Sequence, residues 1–546
     1  MKRLVLLLAV ALFGAGTAQA APREMVAAAH PLAVEAGLTA LRNGGSAIDA
    51  AVAVQMVLGV VEPQSSGLGG GGFLLYYDAA SQAITVYDGR ETAPAGATPT
   101  MFLGADGKPL PFREAIASGI SVGVPGAVAL LELAHKEHGK RPWRELFEPA
   151  IALSRGGFPV SSRLAFWLGV IKSFANEPAA RTIYFNDDGS AKKQGDRVVN
   201  PALAETMRLI ADNGSKPLYE GPLAQEIVAR VHGHVRPGTL SLADLAAYKP
   251  IKREALCGPY RVWLVCGMPP PSSGGVAILQ ILALLEPFDL SKDQPNDLRS
   301  LHLIAEASRL AFADRAHYLA DPAFVPVPIA GLLAPDYIAE RRKLISPDHS
   351  MGRQGPVEAG YVERGTSHMT IVDREGNAVA FTTTIEWSFG AQMMVGGFIL
   401  NNELTDFSAV PERGGQPVAN RVEPGKRPRS SMSPTFVLDR DRRLVLAVGS
   451  AGGQRIIGDT LHALIAMLDW KLSAQAALDL PRVANMNGPT ELEDKGSLPA
   501  QADALRALGH QVQVRRHEGG LTAIRRDGDG WQGGADPRRD GAARGD

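Results

Sequence analysis

The chain has 546 residues, is 45% hydrophobic and carries 59 glycines, values that fit a large packed core and exclude a disordered or fibrous protein. A formal net charge of −1 gives no electrostatic case for nucleic acid or an anionic membrane as a partner. Residues 1–20 read as a secretory signal, with Lys2 and Arg3 before the apolar run Leu4 to Phe13 and the small-x-small site Ala18-Gln19-Ala20 after it. That run is too short to span a bilayer comfortably, and no other long apolar run follows. The expectation is an exported chain, periplasmic or secreted, that starts near Ala21 and is free of the membrane.

The apolar spacing of Leu32, Val34, Leu38 and Leu41 predicts a helix over 31–42, broken at Asn43-Gly44-Gly45. Ser46 caps a second helix, with Asp49 at its third position, and this buried helix ends before Pro63. Gly67, Gly69 and Gly72 fit a dinucleotide fingerprint, but a helix precedes them and a strand, 73–77, follows, which is the wrong context. A tight loop where two backbones, or a backbone and a ligand, approach closely is the better reading. Strands 73–77 and 83–87 lead to Arg90, which reads first as a surface charge and second as a fork for a carboxylate.

Helical patterns cover 126–154 and 201–231. His135 and His138 in the first of these lack a third ligand nearby, so a solvated helix face is preferred to a metal site. Cys257 and Cys266 flank a turn; a disulfide is permitted by export, and two reduced, buried thiols are at least as well supported. A rigid polar loop, 268–275, precedes the helices 276–286 and 298–320. Residues 346–365 are rich in Gly, Pro and charge and read as an exposed, flexible segment suited to cleavage.

The stretch Gly365-Thr366-Ser367-His368 opens a hairpin. The loop Arg374-Glu375-Gly376 is a standard three-residue connection, and if Asp373 pairs with Asn377 then Thr366 lies opposite Thr384. A Thr hydroxyl needs an adjacent base, and the α-amine of an N-terminal Thr, with a pKa near 8, supplies one. Cleavage of the Gly365–Thr366 bond would create it. Farther on, Phe398 to Leu400 form a strand, Glu403 and Asp406 stand at i and i+3 of one turn, and 408–425 is a polar loop. Arg427 to Pro434, with Ser430 and Ser431, runs into the strand Thr435 to Leu438. The strand Leu444 to Val448 ends at Gly449-Ser450-Ala451-Gly452-Gly453, ahead of a helix from Arg455 to Trp470. Bare N–H groups at such a helix start make a good oxyanion hole.

Together these stretches resemble the gamma-glutamyltranspeptidase (glutathione hydrolase) family over about residues 25 to 540. The likeness is carried by Pro63 to Gly67, Arg90 to Pro94, Met268 to Gly275, Thr366 to His368, Asn401 to Glu403 with Asp406 to Ser408, Arg427 to Thr435, and Gly449 to Gly453. It implies an α/β (α+β) fold, the αββα four-layer sandwich of the N-terminal-nucleophile hydrolases. It also implies self-cleavage into a large subunit, 21–365, and a small one, 366–546, entwined as a heterodimer in one catalytic domain. Thr366 would be nucleophile and base, Thr384 its hydroxyl support, and Gly452 and Gly453 the oxyanion hole. Arg90, Ser430 and Ser431 would hold the substrate α-carboxylate, and Glu403 and Asp406 its ammonium. The acyl group would pass from glutathione or another γ-glutamyl amide to water, an amino acid or a dipeptide, with no cofactor or metal. Two features depart from the family: Glu386 stands where the well-known transpeptidases carry Asn, and the segment between Phe407 and Ser430 is short and lacks an aromatic. Both features bear on the choice of acyl group, and a glutaryl-cephalosporin acylase is the alternative; Glu386, joining Glu403 and Asp406 around one substrate ammonium, argues for γ-glutamyl substrates instead. An inactive binding protein or a dinucleotide-dependent oxidoreductase are readings from other classes.

Overall fold

In the computed structural model, residues 21–355 and 365–546 are described; the predicted signal segment and residues 356–364 of the predicted cleavage segment lie outside them. Two antiparallel sheets form the centre. In chain order their strands are β1 (Met25–Ala28), β2 (Gly71–Tyr77), β3 (Ile84–Gly89), β4 (Ile251–Glu254), β5 (Leu256–Tyr260), β6 (Trp263–Gly267), β7 (Ser367–Val372), β8 (Ala378–Thr384), β9 (Thr435–Leu438), β10 (Leu444–Gly449), β11 (Thr522–Asp527), β12 (Gly530–Ala535) and β13 (Ala542–Gly545). The first sheet runs β13-β1-β7-β8-β2-β3-β4 and the second β12-β11-β10-β9-β6-β5.

The central strands of each sheet are buried on both faces, so they read as apolar runs instead of alternating with polar residues. The period of two still sorts the side chains. Ile371, Val379 and Phe381 pack with the helices α1 (Pro31–Arg42) and α2 (Ala47–Val61), whereas Val372, Ala378 and Ala380 meet Phe436, Ala447 and Ile524 of the second sheet. On the far side Val437, Leu446 and Val448 pack against α3 (Gly274–Leu285), α4 (Leu298–Tyr318) and α5 (Arg455–Leu468). Helices therefore cover both outer faces and the order of layers is αββα, as expected.

The helix signals act as predicted. Ser46 and Asp49 form a capping box, with the Asp49 N–H donating to Ser46 Oγ at 3.2 Å and the Ser46 N–H to Asp49 Oδ2 at 2.7 Å, a contact worth about 1 kcal/mol. The same carboxylate accepts from the Lys140 N–H at 2.9 Å and lies 3.3 Å from His135, so His135 is tied to a neighbouring helix and is not on a solvated face. His138 stacks on Tyr76 with ring centroids 4.0 Å apart. Among the described residues no group of side chains has the makings of a metal site, and no helix is long and apolar enough to cross a membrane. Cys257 and Cys266 face each other across β5 and β6 and form a disulfide, which selects one of the two readings left open above.

The glycine stretch is a close backbone approach, not a nucleotide loop. A Cβ at Gly69 would strike the carbonyl of Ile399, and one at Gly70 the carbonyl of Thr384, while Gly72 abuts Thr382. Absent side chains there let β8 lie hard against the turn before β2.

Candidate active site

The hairpin has the register that its loop predicts. Val372 pairs with Ala378 and Ser367 with Thr383, and the Asp373 N–H donates to the Asn377 carbonyl at 2.9 Å. Gly376, at φ 87°, supplies the left-handed turn residue. One step beyond the last pair, Thr366 Oγ1 and Thr384 Oγ1 are 3.0 Å apart. The Glu386 N–H donates to Thr384 Oγ1 at 2.8 Å, which leaves the Thr384 hydroxyl proton for Thr366.

Thr366 itself sits at φ 113°, a region a β-branched residue avoids. Three contacts hold it there. Its N–H donates to the Ser65 carbonyl at 2.9 Å, its carbonyl accepts from Arg539 Nη1 at 2.7 Å, and its hydroxyl meets Thr384. Gly365 donates from its N–H to the Glu386 carbonyl at 3.1 Å, and a Cβ on it would collide with that carbonyl. A larger residue before Thr366 is thereby excluded. Ser65 and Arg539 escaped sequence reasoning because nothing local marks them; Arg539 lies 173 residues from Thr366 along the chain.

Arg90 is not on the surface. It is 1% exposed, and its Nη1 and Nη2 pair with Glu403 and Asp406, which the 3₁₀ turn Glu403–Asp406 places on one side. Its Nε donates to the Pro428 carbonyl at 3.1 Å and its Nη2 also to the Arg429 carbonyl at 3.2 Å. A guanidinium has five N–H bonds, so this leaves one on Nη1 for a ligand. Arg90, expected to hold a carboxylate, and the two acids, expected to hold an ammonium, stand together as one ion-paired cluster.

Glu386 and Glu91 complete that cluster. The Glu386 side chain accepts from Asn402 Nδ2. Burial, with Asp406 and Glu403 adding to it, raises the Glu386 carboxyl well above its ordinary value. Burial also raises Glu403 well above its own, against the pull of Arg90 and with the push of Glu91 and Asp406. Glu91 is pushed up to about 8, again chiefly by burial. Burial lowers the Arg90 pKa, but Glu403 and Asp406 outweigh it and hold it above the usual guanidinium value. The pocket is therefore acid-rich and short of cations.

Ser430 and Ser431 directly follow Pro428 and Arg429, whose carbonyls hold Arg90. Ser430 Oγ accepts from the Met432 N–H at 3.1 Å and Ser431 Oγ from Arg315 Nη2 at 2.9 Å, so each hydroxyl keeps its own proton to donate. The polar loop before α3 braces them: the Ser273 N–H and Oγ both donate to the Ser430 carbonyl, at 2.8 and 2.7 Å. Gly452 and Gly453, at φ 125° and 64°, stand just ahead of α5, with the cap residue Gln454 between. Open space surrounds the place where a Gly452 Cβ would stand.

The gamma-glutamyltranspeptidase family model matches residues 33–545. The chain is similar to the glutathione hydrolase proenzyme of Bacillus subtilis (strain 168), 40% identical over 541 residues that cover 95% of this chain and 91% of that one. It is 38% identical to the glutathione hydrolase proenzyme of Escherichia coli (strain K12), with the same coverage of both chains. Among solved structures it resembles cephalosporin acylase from Bacillus halodurans, with a TM-score of 0.84, 30% identity and 96% of each chain covered.

Proposed function

The chain belongs to the gamma-glutamyltranspeptidase family, and we propose that it cuts itself at Gly365–Thr366 and then uses Thr366 to take the γ-glutamyl group from glutathione and other γ-glutamyl amides. The acyl group passes to water or to an amino acid or peptide amine. The observation that carries this is the 3.0 Å contact between the Thr366 and Thr384 hydroxyls beside the acid cluster of Arg90.

In the first reaction Thr366 Oγ1 attacks the Gly365 carbonyl carbon, the C–N bond breaks, and the acyl group moves from nitrogen to oxygen. Water hydrolyses the ester, leaving a carboxylate on Gly365 and a free amine on Thr366. That amine, with a pKa near 8, removes the proton of its own hydroxyl. The Ser65 carbonyl orients it, and Thr384 donates to the hydroxyl oxygen. In turnover, Oγ1 attacks the γ-carbonyl carbon. The N–H groups of Gly452 and Gly453 receive the oxyanion, and the protonated amine returns its proton to the departing nitrogen. Glu403, Asp406 and Glu386 hold the substrate ammonium. Ser430 and Ser431, with the remaining N–H of Arg90, hold its α-carboxylate. Fixing the amino-acid head at both ends lets only the γ-carbonyl reach Thr366. The subunits are 21–365 and 366–546, and the pattern of residues 1–20 directs export to the periplasm or beyond.

An acylase acting on glutaryl amides is the second reading, favoured by the likeness to the cephalosporin acylase. Three carboxyls with one shared arginine disfavour an acyl group that lacks an ammonium. With γ-glutamyl-p-nitroanilide and glutaryl-p-nitroanilide side by side, the γ-glutamyl compound should be turned over far faster. Equal turnover would remove Glu386 from an ammonium pocket and make the acylase reading the better one.

A further inference from the structure

Turnover requires the Thr366 amine as a free base, yet an ordinary α-amine has a pKa of about 8 and is mostly protonated at neutral pH. Among the described residues one cation touches Thr366. Arg539 Nη1 donates to the Thr366 carbonyl at 2.7 Å. The nitrogen and carbonyl oxygen of one residue lie about 3 Å apart, so the guanidinium stands within about 6 Å of the amine. Both residues belong to the proposed small fragment, 366–546, so cleavage leaves the contact intact.

A turn after β12 carries Arg539 there. The Asp536 N–H donates to the Leu521 carbonyl at 2.9 Å, and the Arg539 N–H to the Asp536 carbonyl at 3.2 Å. Gly520 leaves room for the guanidinium, since a Cβ on it would lie 2.7 Å from the central guanidinium carbon. Arg539 Nε donates to the carbonyls of Gly519 and Glu518, at 2.6 and 3.4 Å. Its acceptors are thus neutral carbonyls, and the carboxylates nearby serve other cations. Glu62, at the end of α2, is 3.6 Å from Arg163, and burial raises its carboxyl above the ordinary value. Glu518 lies 4.0 Å from Arg163. Asp536 pairs with Arg538 at 2.9 Å and lies 3.7 Å from Arg482, and Asp459 is 2.9 Å from His517. Asp540 accepts from Ser162 Oγ at 2.7 Å and from the Arg163 N–H at 3.1 Å. Burial, followed by the nearby Arg163, lowers Arg539 to about 9, which leaves it charged at neutral pH. On the strand of Thr366 itself, burial lowers His368 to about 3, so it adds no charge. Across the hairpin, burial holds the Glu386 carboxyl well above its ordinary value.

We propose that Arg539 acts on catalysis through the Thr366 amine, keeping that amine unprotonated at neutral pH while holding it toward the Ser65 carbonyl. The proposal rests on the reading of Thr366 as an amino-terminal nucleophile. Protonating the amine would set two positive charges within about 6 Å of each other, and a like charge at that range disfavours the charged form. The proton therefore leaves more readily, and the amine is free to take one from its own hydroxyl. Arg539 is a positioning residue, since it meets the Thr366 carbonyl and not the reacting atoms.

The test titrates the amine in the mature enzyme. Cyanate adds to an unprotonated amine, so the peptide that begins at Thr366 gains mass, and the rate of that gain against pH gives a midpoint. In the wild type the midpoint should fall at about 7 or below, against about 8 for an ordinary α-amine. Arg539→Gln keeps an N–H donor without the charge and should raise the midpoint by about one unit, whereas Arg539→Lys should keep it close to the wild type. Turnover of γ-glutamyl-p-nitroanilide should follow, with Arg539→Gln losing about tenfold more kcat/KM at pH 6 than at pH 9. If the glutamine variant does not mature, the wild-type midpoint decides. A wild-type midpoint at or above about 8, or a glutamine variant whose midpoint does not move, overturns the proposal. Cyanate needs no γ-glutamyl substrate, so a low midpoint in an enzyme inert toward γ-glutamyl amides would support Arg539 in this role and overturn the γ-glutamyl reading alone.

Discussion

Arg90 carries the acyl pocket structurally as well as chemically. Arg90→Ala leaves Glu403 and Asp406 buried without their shared cation, a loss of about 3–5 kcal/mol. It should lower the urea midpoint sharply and weaken γ-glutamyl turnover together. Arg90→Lys restores a charge without the planar fork, so it should recover more stability than kcat/KM. Unchanged kcat/KM in the folded lysine variant would remove Arg90 from the site. Glu386 makes a pH prediction. A carboxyl whose pKa rises on folding stabilises the fold fully below its unfolded value, here 4.5, and loses that contribution as pH climbs through the folded value. Glu386, Glu403 and Glu91 all act in this direction, Glu91 between 4.5 and about 8. Glu386→Gln removes the penalty, so its urea midpoint should exceed the wild-type midpoint at pH 8 and approach it at pH 5. An offset equal at both values would contradict the buried-acid account.

At the scale of elements, the hairpin was legible in full, because a three-residue loop ending in Gly376 fixes one register and the register alone brings Thr366 to Thr384. The turn holding Glu403 and Asp406 was legible too, since an i, i+3 spacing is a local fact. What those acids meet was not. Arg90 lies 313 and 316 residues from them, and no local pattern reports such a pairing. The same holds for Ser65, Arg315 and Arg539, whose roles arise from tertiary approach. Arg90 looked like a surface charge at a strand end for that reason. The glycine loop makes its own prediction. Gly70→Ala drives a methyl into the Thr384 carbonyl, so β8 must shift and take the Thr384 hydroxyl away from Thr366. Uncut precursor should accumulate in this variant, visible on a denaturing gel. A variant that matures as fast as the wild type would show that the approach of these backbones is not needed to set the pair.

On the scale of the whole molecule, the proposed cleavage divides a chain that cannot come apart. β1 of the large fragment lies between β13 and β7 of the small one, β7 and β8 of the small fragment lie between β1 and β2, and β9 of the small fragment pairs with β6 of the large. Separating the fragments would break both sheets and the core between them. The two should therefore co-purify as one particle and part only in denaturant. The most direct test is the intact mass of purified wild type and Thr366→Ala after denaturation. The wild type should give two chains, the smaller matching residues 366–546 with a free amino terminus at Thr366, and Thr366→Ala should give one uncut chain. A wild type that stays whole after long incubation, or a small fragment that starts at Ser367, would contradict the account.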